Sequence, residues 1–291
     1  MEKNLSALGF MSGTSGDGVD TSVISSNGKD TINIKYNRFD PYPTSLSNKI
    51  HRVKESISEM QDLLKYSSEI DKLELEITDF HIDIAIKATK EVDYDLIGFH
   101  GHTIYHNTEE KISKQIGLGA NLSKLTNKDV VYNFRQNDIK NGGEGAPLSP
   151  IYHLALIKSL FNENKVKIPI SILNIGGIAN ITEIERDFKI TSRDIGPGNC
   201  LIDKWIRKNS DKFFDENGTL ADKGKTDKFI FDQYLDNYYY SKVNSKRSLD
   251  TNDFDISFAK GLSLENGTTT ITDLTSELLS KKIGINDIYI C

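Results

Sequence analysis

The stretch "FMSGTSGDGVDTSV", Phe10 to Val23, sets Gly13, Gly16 and Gly18, the hydroxyls of Ser12, Thr14 and Ser15, and the carboxylates of Asp17 and Asp20 between short apolar segments. Its flanks, Leu5–Met11 and Val19–Ser25, read as strands, and "SGDG" between them is a hairpin signal. Two readings of the tip stand side by side. It is a plain tight hairpin, or a phosphate loop in which glycines bring backbone N–H groups close to an anion, hydroxyls add donors and an aspartate holds magnesium. No GxxxxGK[ST] and no GxGxxG opening a helix occurs at this loop, which excludes the P-loop and Rossmann versions of such a site.

Thr31–Phe39 continues as a third strand, and a helical pattern runs from about Ser45 to Val92, with Ile70, Leu73, Ile77, Phe80 and Ile84 as its packing stripe. "DLIGFHGHTIYH" (95–106) reads as a strand entering a turn, and "DVVYNF" (129–134) as a short strand. "NGGEGAPLSPIYHLALIKSLF" reads as a glycine loop opening a helix, with Pro147 near its first turn. After "NENKVK" the pattern restarts: strands at Ile168–Ile175, Ala179–Ile184 and Phe188–Ser192, a glycine-proline-glycine turn, then a helix over Leu201–Arg207. Strand, glycine turn, strand, strand, helix thus occurs twice without a residue-level repeat. This predicts two related α/β domains, 1–165 and 166–291, with a ligand cleft between them. "INDIYIC" reads as a central strand on which the chain stops, so a fragment lacking a final segment is expected.

The bulk numbers set limits. With 291 residues, 37% hydrophobic and 27% charged, the composition is that of a soluble globular protein, and no apolar run approaches membrane-spanning length. The first residues lack the apolar core and cleavage site of a secretory signal, and two distant cysteines, Cys200 and Cys291, fit a reducing cytoplasm. A net charge of -6 argues against a nucleic-acid surface.

Four further stretches carry chemistry. "NIGGIANIT" (174–182) repeats the strand–glycine–strand design, and two such turns at equivalent points of two halves suit the ends of a polyphosphate. In "RDIGPGNCLIDKW" Asp194 stands at a strand end before a helix that Asn199 can cap, and it is either a general base or a turn residue. "HGHTIYH" puts His100 and His102 on one strand face, either as hydrogen-bonding groups for a sugar or phosphate or as the opening of a metal-dependent hydrolase, which lacks further ligands. "FRQNDIKNGGEGAP" offers Arg135 and Asp138 with a glycine loop, either an anion site or a surface ion pair.

As an ordered set, "MSGTSGDGVD", "HGHTIYH", "FRQNDIKNGGEGAPLSP", "LNIGGIANIT", "RDIGPGNCLIDKW" and "SKRSLDTNDFD" (245–255) resemble the motifs of the anhydro-N-acetylmuramic acid kinases. That resemblance implies two ribonuclease-H-like domains of the actin/hexokinase type, the second incomplete here. It implies ATP-dependent conversion of 1,6-anhydro-N-acetylmuramic acid and water to N-acetylmuramic acid 6-phosphate in peptidoglycan recycling, in the cytoplasm, on a small-molecule sugar, a homodimer being allowed. By the same resemblance Asp194 is the base. Gly13, Thr14, Ser15, Gly16, Asp17, Gly18, Val19 and Asp20 form the nucleotide loop, with Gly176 and Gly177 as its counterpart. His100, Arg135 and Glu144 meet the sugar, and Asp17 and Asp20 hold Mg2+, directly or through water. Gly16 stands where leucine is usual, His102 and Glu144 where glutamine is common, and Ile195 where threonine is common; Gly16 is expected to loosen the loop. The adenosine-binding motif that follows in relatives is expected to be missing. This leaves, as the alternative, a catalytically impaired fragment serving as a sugar-binding or regulatory relic.

Overall fold

In a computed structural model, which describes residues 4–13, 15–107, 109–240, 248–284 and 287–290, Ser6, Leu8 and Phe10 are buried on one side of the first strand while Leu5 and Met11 stay exposed. This is the period of two that a pleated strand imposes. The chain divides into two compact units, Met1–Lys167 and Ile168–Cys291.

The first unit runs β1 (Leu5–Met11), β2 (Gly18–Ser26), β3 (Ile32–Pro41), α1 (Thr44–Ser56), α2 (Met60–Lys65), α3 (Ser67–Ala88), β4 (Leu96–Phe99), β5 (His102–Asn107), β6 (Ile112–Ile116), α4 (Gly119–Thr126), β7 (Asp129–Tyr132), α5 (Phe134–Lys140) and α6 (Pro150–Asn162). Its main sheet has the order β3-β2-β1-β4-β7, and β5 and β6 form a separate hairpin. β1 is antiparallel to β2 and parallel to β4. The Asp95 carboxylate accepts the Ser6 N–H at 2.7 Å and its own N–H donates to the Ser6 carbonyl at 2.8 Å, fixing where β4 starts beside β1.

The core lies between the sheet and helices α1 and α3. Ile70, Leu73, Ile77 and Ile84 are buried against Leu8, Phe10, Ile97 and Phe99, and Phe80 is half-buried beside them, so the expected stripe is the packing face. His81 is fully buried, its ring edge-on to Phe10 and Phe99 with centroids 5.1 Å from each. Its Nδ1–H donates to the Ile77 carbonyl at 2.7 Å, and burial drops its pKa to about 4, leaving a neutral aromatic filler.

The second unit runs β8 (Ile170–Ile175), β9 (Ile178–Ile184), β10 (Ile190–Pro197), α7 (Cys200–Asn209), α8 (Lys228–Tyr240), α9 (Leu264–Ser280) and β11 (Asp287–Ile290), with the order β10-β9-β8-β11. An antiparallel trio followed by a strand parallel to its first member therefore recurs in both units. α9 packs Ile271, Leu274 and Leu278 into a core with Trp205, Leu235 and Phe254. Its threonines satisfy their hydroxyls on the preceding turn: Thr268, Thr270 and Thr272 donate to the carbonyls four residues back at 2.7, 2.7 and 2.8 Å.

Several sequence expectations need correction. The helical pattern from about Ser45 to Val92 resolves into three helices, because the chain leaves helical geometry at Ile57 and again between Lys65 and Ser67. Phe134 begins α5 rather than ending a strand, since Asn133 adopts a left-handed conformation that stops β7. Pro150, not Pro147, opens α6. β10 extends to Pro197, which puts Asp194 inside the strand, and β11 borders β8 alone among the described residues instead of lying centrally.

Two outcomes test this packing. Ile77→Ala, at a fully buried site, is expected to lower unfolding stability by about 2–5 kcal/mol, while Leu75→Ala on the exposed side of α3 changes it by no more than about 0.5 kcal/mol; chemical denaturation reads both. Between the ordinary imidazole value of 6.5 and about 4, the unfolded chain binds a proton at His81 that the folded unit does not, so acidification through this window destabilises the fold. The fall in denaturation midpoint from pH 7 to pH 5 should be smaller in His81→Leu than in the unaltered chain, and equal falls would refute a neutral buried imidazole.

Candidate active site

The glycine loop closes the β1–β2 hairpin, where Met11 pairs with Asp20. Three of its carbonyls are tied down. Gly16 N–H donates to the Gly13 carbonyl at 3.1 Å, Ser47 Oγ donates to the Gly16 carbonyl at 2.7 Å, and Tyr42 N–H donates to the Asp17 carbonyl at 2.9 Å. Gly16 has φ +60°, and a Cβ there would meet His51 and Ile50 at 3.2 Å. Glycine takes that left-handed conformation without strain and leaves room for His51 and Ile50, so the turn as built suits glycine at this position. Val19 is fully buried, backbone included, and packs into the core. Thr14 lies outside the described residues.

Asp17 and Asp20 are exposed at this tip, and Ser15 Oγ donates to Asp17 Oδ1 at 2.5 Å. Desolvation and, after it, the negative charge of Asp17 raise the Asp20 pKa above the usual carboxylate value, so the two acids stand close enough to repel. A pair of exposed carboxylates supplies the hard oxygen donors that Mg2+ accepts, usually one or two from protein with water completing the shell. Among the described residues no group of three or more metal-ligating side chains occurs.

His100 follows the end of β4 and His102 begins β5, so they do not share one strand face, as the chain turns at Gly101 between them. Arg135 Nε, from α5, donates to His100 Nε2 at 3.0 Å, and His100 Nδ1–H donates to the Gly101 carbonyl at 3.1 Å. Both ring nitrogens are therefore spent on protein groups, which removes the metal-hydrolase reading of this pair. Burial, then the Arg135 charge, lower the His100 pKa to about 4, so a neutral imidazole carries a cationic guanidinium. The next glycine loop wraps Asp138, whose Oδ2 accepts the Gly145 N–H at 2.7 Å. A Cβ on Gly145 would sit 3.5 Å from the Arg135 Cβ, which places the exposed Glu144 in the loop beside Arg135. His100, Arg135 and Glu144 thus belong to one neighbourhood of the first unit.

In the second unit the β8–β9 turn is Gly176–Gly177. Its carbonyls accept from the segment opening α7: Asn199 N–H reaches Gly176 O at 2.8 Å, and the Gly198 and Cys200 amides reach Gly177 O at 3.0 and 3.2 Å. A Cβ on Gly198 would lie 2.1 Å from Gly176 O, so the approach admits glycine alone. The Asn199 side chain does not cap α7; its amide donates to the Ile175 carbonyl at 3.4 Å.

Asp194 sits at a bulge. It pairs with Asn180 and Gly196 with Ala179, leaving Ile195 as the extra residue, fully packed in the core. Such a bulge redirects a side chain next to it. Asp194 Oδ2 accepts the Leu249 N–H at 2.7 Å, from the last of the six motifs, whose residues 245–247 lie outside the described residues. Sequence reasoning missed Leu249 because its contribution is a backbone amide. Ser12 and Tyr42 were missed as a hydrogen-bonded pair, although the buried hydroxyl beside a glycine loop was a usable signal.

The sequence profile of the anhydro-N-acetylmuramic acid kinase family matches residues 5–278. The anhydro-N-acetylmuramic acid kinase of Pelagibacter ubique (strain HTCC1062) is 45% identical over 287 residues, covering 97% of this chain and 76% of that protein. Its namesake from Rhizobium johnstonii is 35% identical over 284 residues, covering 96% and 75%. Among solved structures, the Aquifex aeolicus PPX-GPPA enzyme overlays with a TM-score of 0.38 at 12% identity, covering 99% of this chain and 96% of that one, too slight a likeness to bear on fold. Nothing in these similarities favours a catalytically impaired relic. The chain belongs to the anhydro-N-acetylmuramic acid kinase family.

Proposed function

We propose that this chain uses ATP and water to convert 1,6-anhydro-N-acetylmuramic acid to N-acetylmuramic acid 6-phosphate, a step of peptidoglycan recycling in the cytoplasm. The observation that carries this reading is a carboxylate fixed at a strand bulge, Asp194 on the Leu249 amide, within the span matched to the kinase family. The duplicated strand order supports two ribonuclease-H-like domains of the actin/hexokinase type, 1–165 and 166–291.

The substrate explains the need for a base. O6 is locked in the anhydro bridge and has no proton to lose, so water must open the bridge. Asp194 takes a proton from water, whose oxygen bonds to the anomeric carbon as the bond from that carbon to O6 breaks. O6 then bonds to the γ-phosphorus and the bond to the β,γ-bridging oxygen breaks, releasing ADP. The amide on Oδ2 orients the carboxylate without competing for the proton, since an N–H only donates.

The loop from Gly13 to Asp20 would meet the phosphates, with Thr14 and Ser15 as hydroxyl donors and Gly176 and Gly177 as the second glycine turn. Protein donors engage the carbonyls of Gly13, Gly16, Asp17, Gly176 and Gly177, and the Gly16 amide is itself spent on Gly13, so an anion would meet the other amides of the two turns. Asp17 and Asp20 would hold Mg2+, which when bound neutralises charge on the phosphate oxygens. Arg135 supplies a cation for the lactyl carboxylate of the sugar, with neutral His100 fixing its direction and Glu144 beside it. A homodimer is compatible with this reading.

Incubation with ATP, Mg2+ and the anhydro sugar should yield the 6-phosphate by mass spectrometry; no product refutes the activity. Asp194→Asn preserves shape but cannot accept the proton, and kcat should fall by about 10²–10⁴-fold with ATP affinity unchanged. Undiminished turnover removes Asp194 as the base. Arg135→Met should raise the KM for the sugar, and the His100 titration followed by NMR should move up from about 4 yet stay below 6.5, because burial is the larger cause of its low value. An unmoved titration would mean that Arg135 does not bear on His100.

A further inference from the structure

Ser12, the residue that leads β1 into the glycine loop, is 5% exposed. Its Oγ lies 2.8 Å from Tyr42 OH and 2.8 Å from Nδ1 of the fully buried His102, whose backbone also bridges to Ser12. Tyr42 reaches the other end of the same loop, since its N–H donates to the Asp17 carbonyl. One chain of contacts, His102–Ser12–Tyr42–Asp17, therefore spans the mouth of the loop and sets its width.

The protonation of His102 follows from its surroundings. Nε2 has no partner among the described residues. A buried N–H without an acceptor is rarer and costlier than a bare ring nitrogen, so the proton belongs on Nδ1, where it is donated to Ser12 Oγ. Burial, then Lys54 and the imidazoles of His51, His81 and His100, hold the ring neutral. A neutral ring gives one fixed donor, whereas a charged one would need a counter-ion, and the charged groups that act on it among the described residues are cationic. An apolar side chain would fill the same space without an unmatched nitrogen, so the polar ring is best accounted for by what it does to Ser12.

We propose that His102 is a positioning residue for the nucleotide phosphates: its Nδ1–H holds Ser12 in the Ser12–Tyr42 brace, which presets the backbone at Gly13 and over Ser15 to Gly18. This rests on the reading of that loop as the ATP phosphate site. His102 touches no substrate; it acts through Ser12.

The test compares His102→Leu, His102→Gln and Ser12→Ala in the full chain, by steady-state kinetics for both substrates and by calorimetry with Mg-ATP. His102→Leu should raise the ATP KM and Kd by about tenfold while leaving the sugar KM within about twofold. His102→Gln, which keeps an amide donor, should recover ATP affinity to within about threefold of the unaltered chain. A merely structural role predicts that both His102 variants lose stability and affinity for both substrates together; that result, or an unchanged ATP Kd in His102→Leu, overturns the proposal. If His102→Leu fails to fold, Ser12→Ala decides: a tenfold loss of ATP affinity supports the brace and an unchanged affinity overturns it. An unaltered chain that binds ATP but yields no 6-phosphate counts against the substrate assignment alone, because calorimetry still reads the brace. A chain that takes up no ATP overturns both.

Discussion

A glycine turn can present its amides to an anion only if its carbonyls are occupied elsewhere, and this constraint organises both halves of the chain. In the first unit the carbonyls of Gly13, Gly16 and Asp17 are taken by Gly16 N–H, Ser47 Oγ and Tyr42 N–H. In the second, those of Gly176 and Gly177 are taken by the amides of Gly198, Asn199 and Cys200. Apart from Gly16 N–H, which belongs to the loop itself, the donors come from the same place in each unit, the segment around the start of the helix that follows the third strand. The antiparallel trio and its following helix are thus a device for holding a hairpin turn with its oxygens turned away. A carbonyl left loose at either tip would repel the charge that the amides attract.

The electrostatics follow the same economy. His81 and His100 are held near pKa 4, and His102 well below the imidazole range, each mainly by burial. None is a cation near neutral pH. In the neighbourhood of His100 the fixed positive charge is that of Arg135, and the imidazole serves as its acceptor. An anionic group drawn there meets a guanidinium whose direction is set by a ring that is itself fixed on the Gly101 carbonyl. At the hairpin tip burial, and after it the charge of Asp17, raise the Asp20 pKa, so the two carboxylates repel one another.

What the sequence made legible was local. β1, β2 and β9 alternate or run apolar between glycine turns, so their bounds were nearly right. The stripe on α3 was legible for the same reason: Ile70, Leu73, Ile77 and Ile84 repeat at helical spacing. α9 was not, because threonines mask a helix whose hydroxyls are satisfied on its own backbone, although Ile271, Leu274 and Leu278 keep the spacing. Asn133 hid the end of β7 because a left-handed asparagine has no strong signature in one sequence. At the site, residue types were readable and partnerships were not. Asp194 meets Leu249 across 55 residues of chain, and Ser12 meets His102 across 90.

The substitution of Ile195 for the commoner threonine shows why such partnerships matter more than neighbouring residue types. Ile195 is the extra residue of the β10 bulge, and its side chain is buried with Leu173, Ala179, Ile181 and Leu279. An apolar side chain there anchors the bulge in the core, and the bulge in turn sets the direction of Asp194. The carboxylate is then held by a main-chain amide, which any residue but proline supplies at position 249. The Leu249 amide thus ties the direction of the base to the path of the backbone. The departure at Ile195 therefore leaves the proposed chemistry intact.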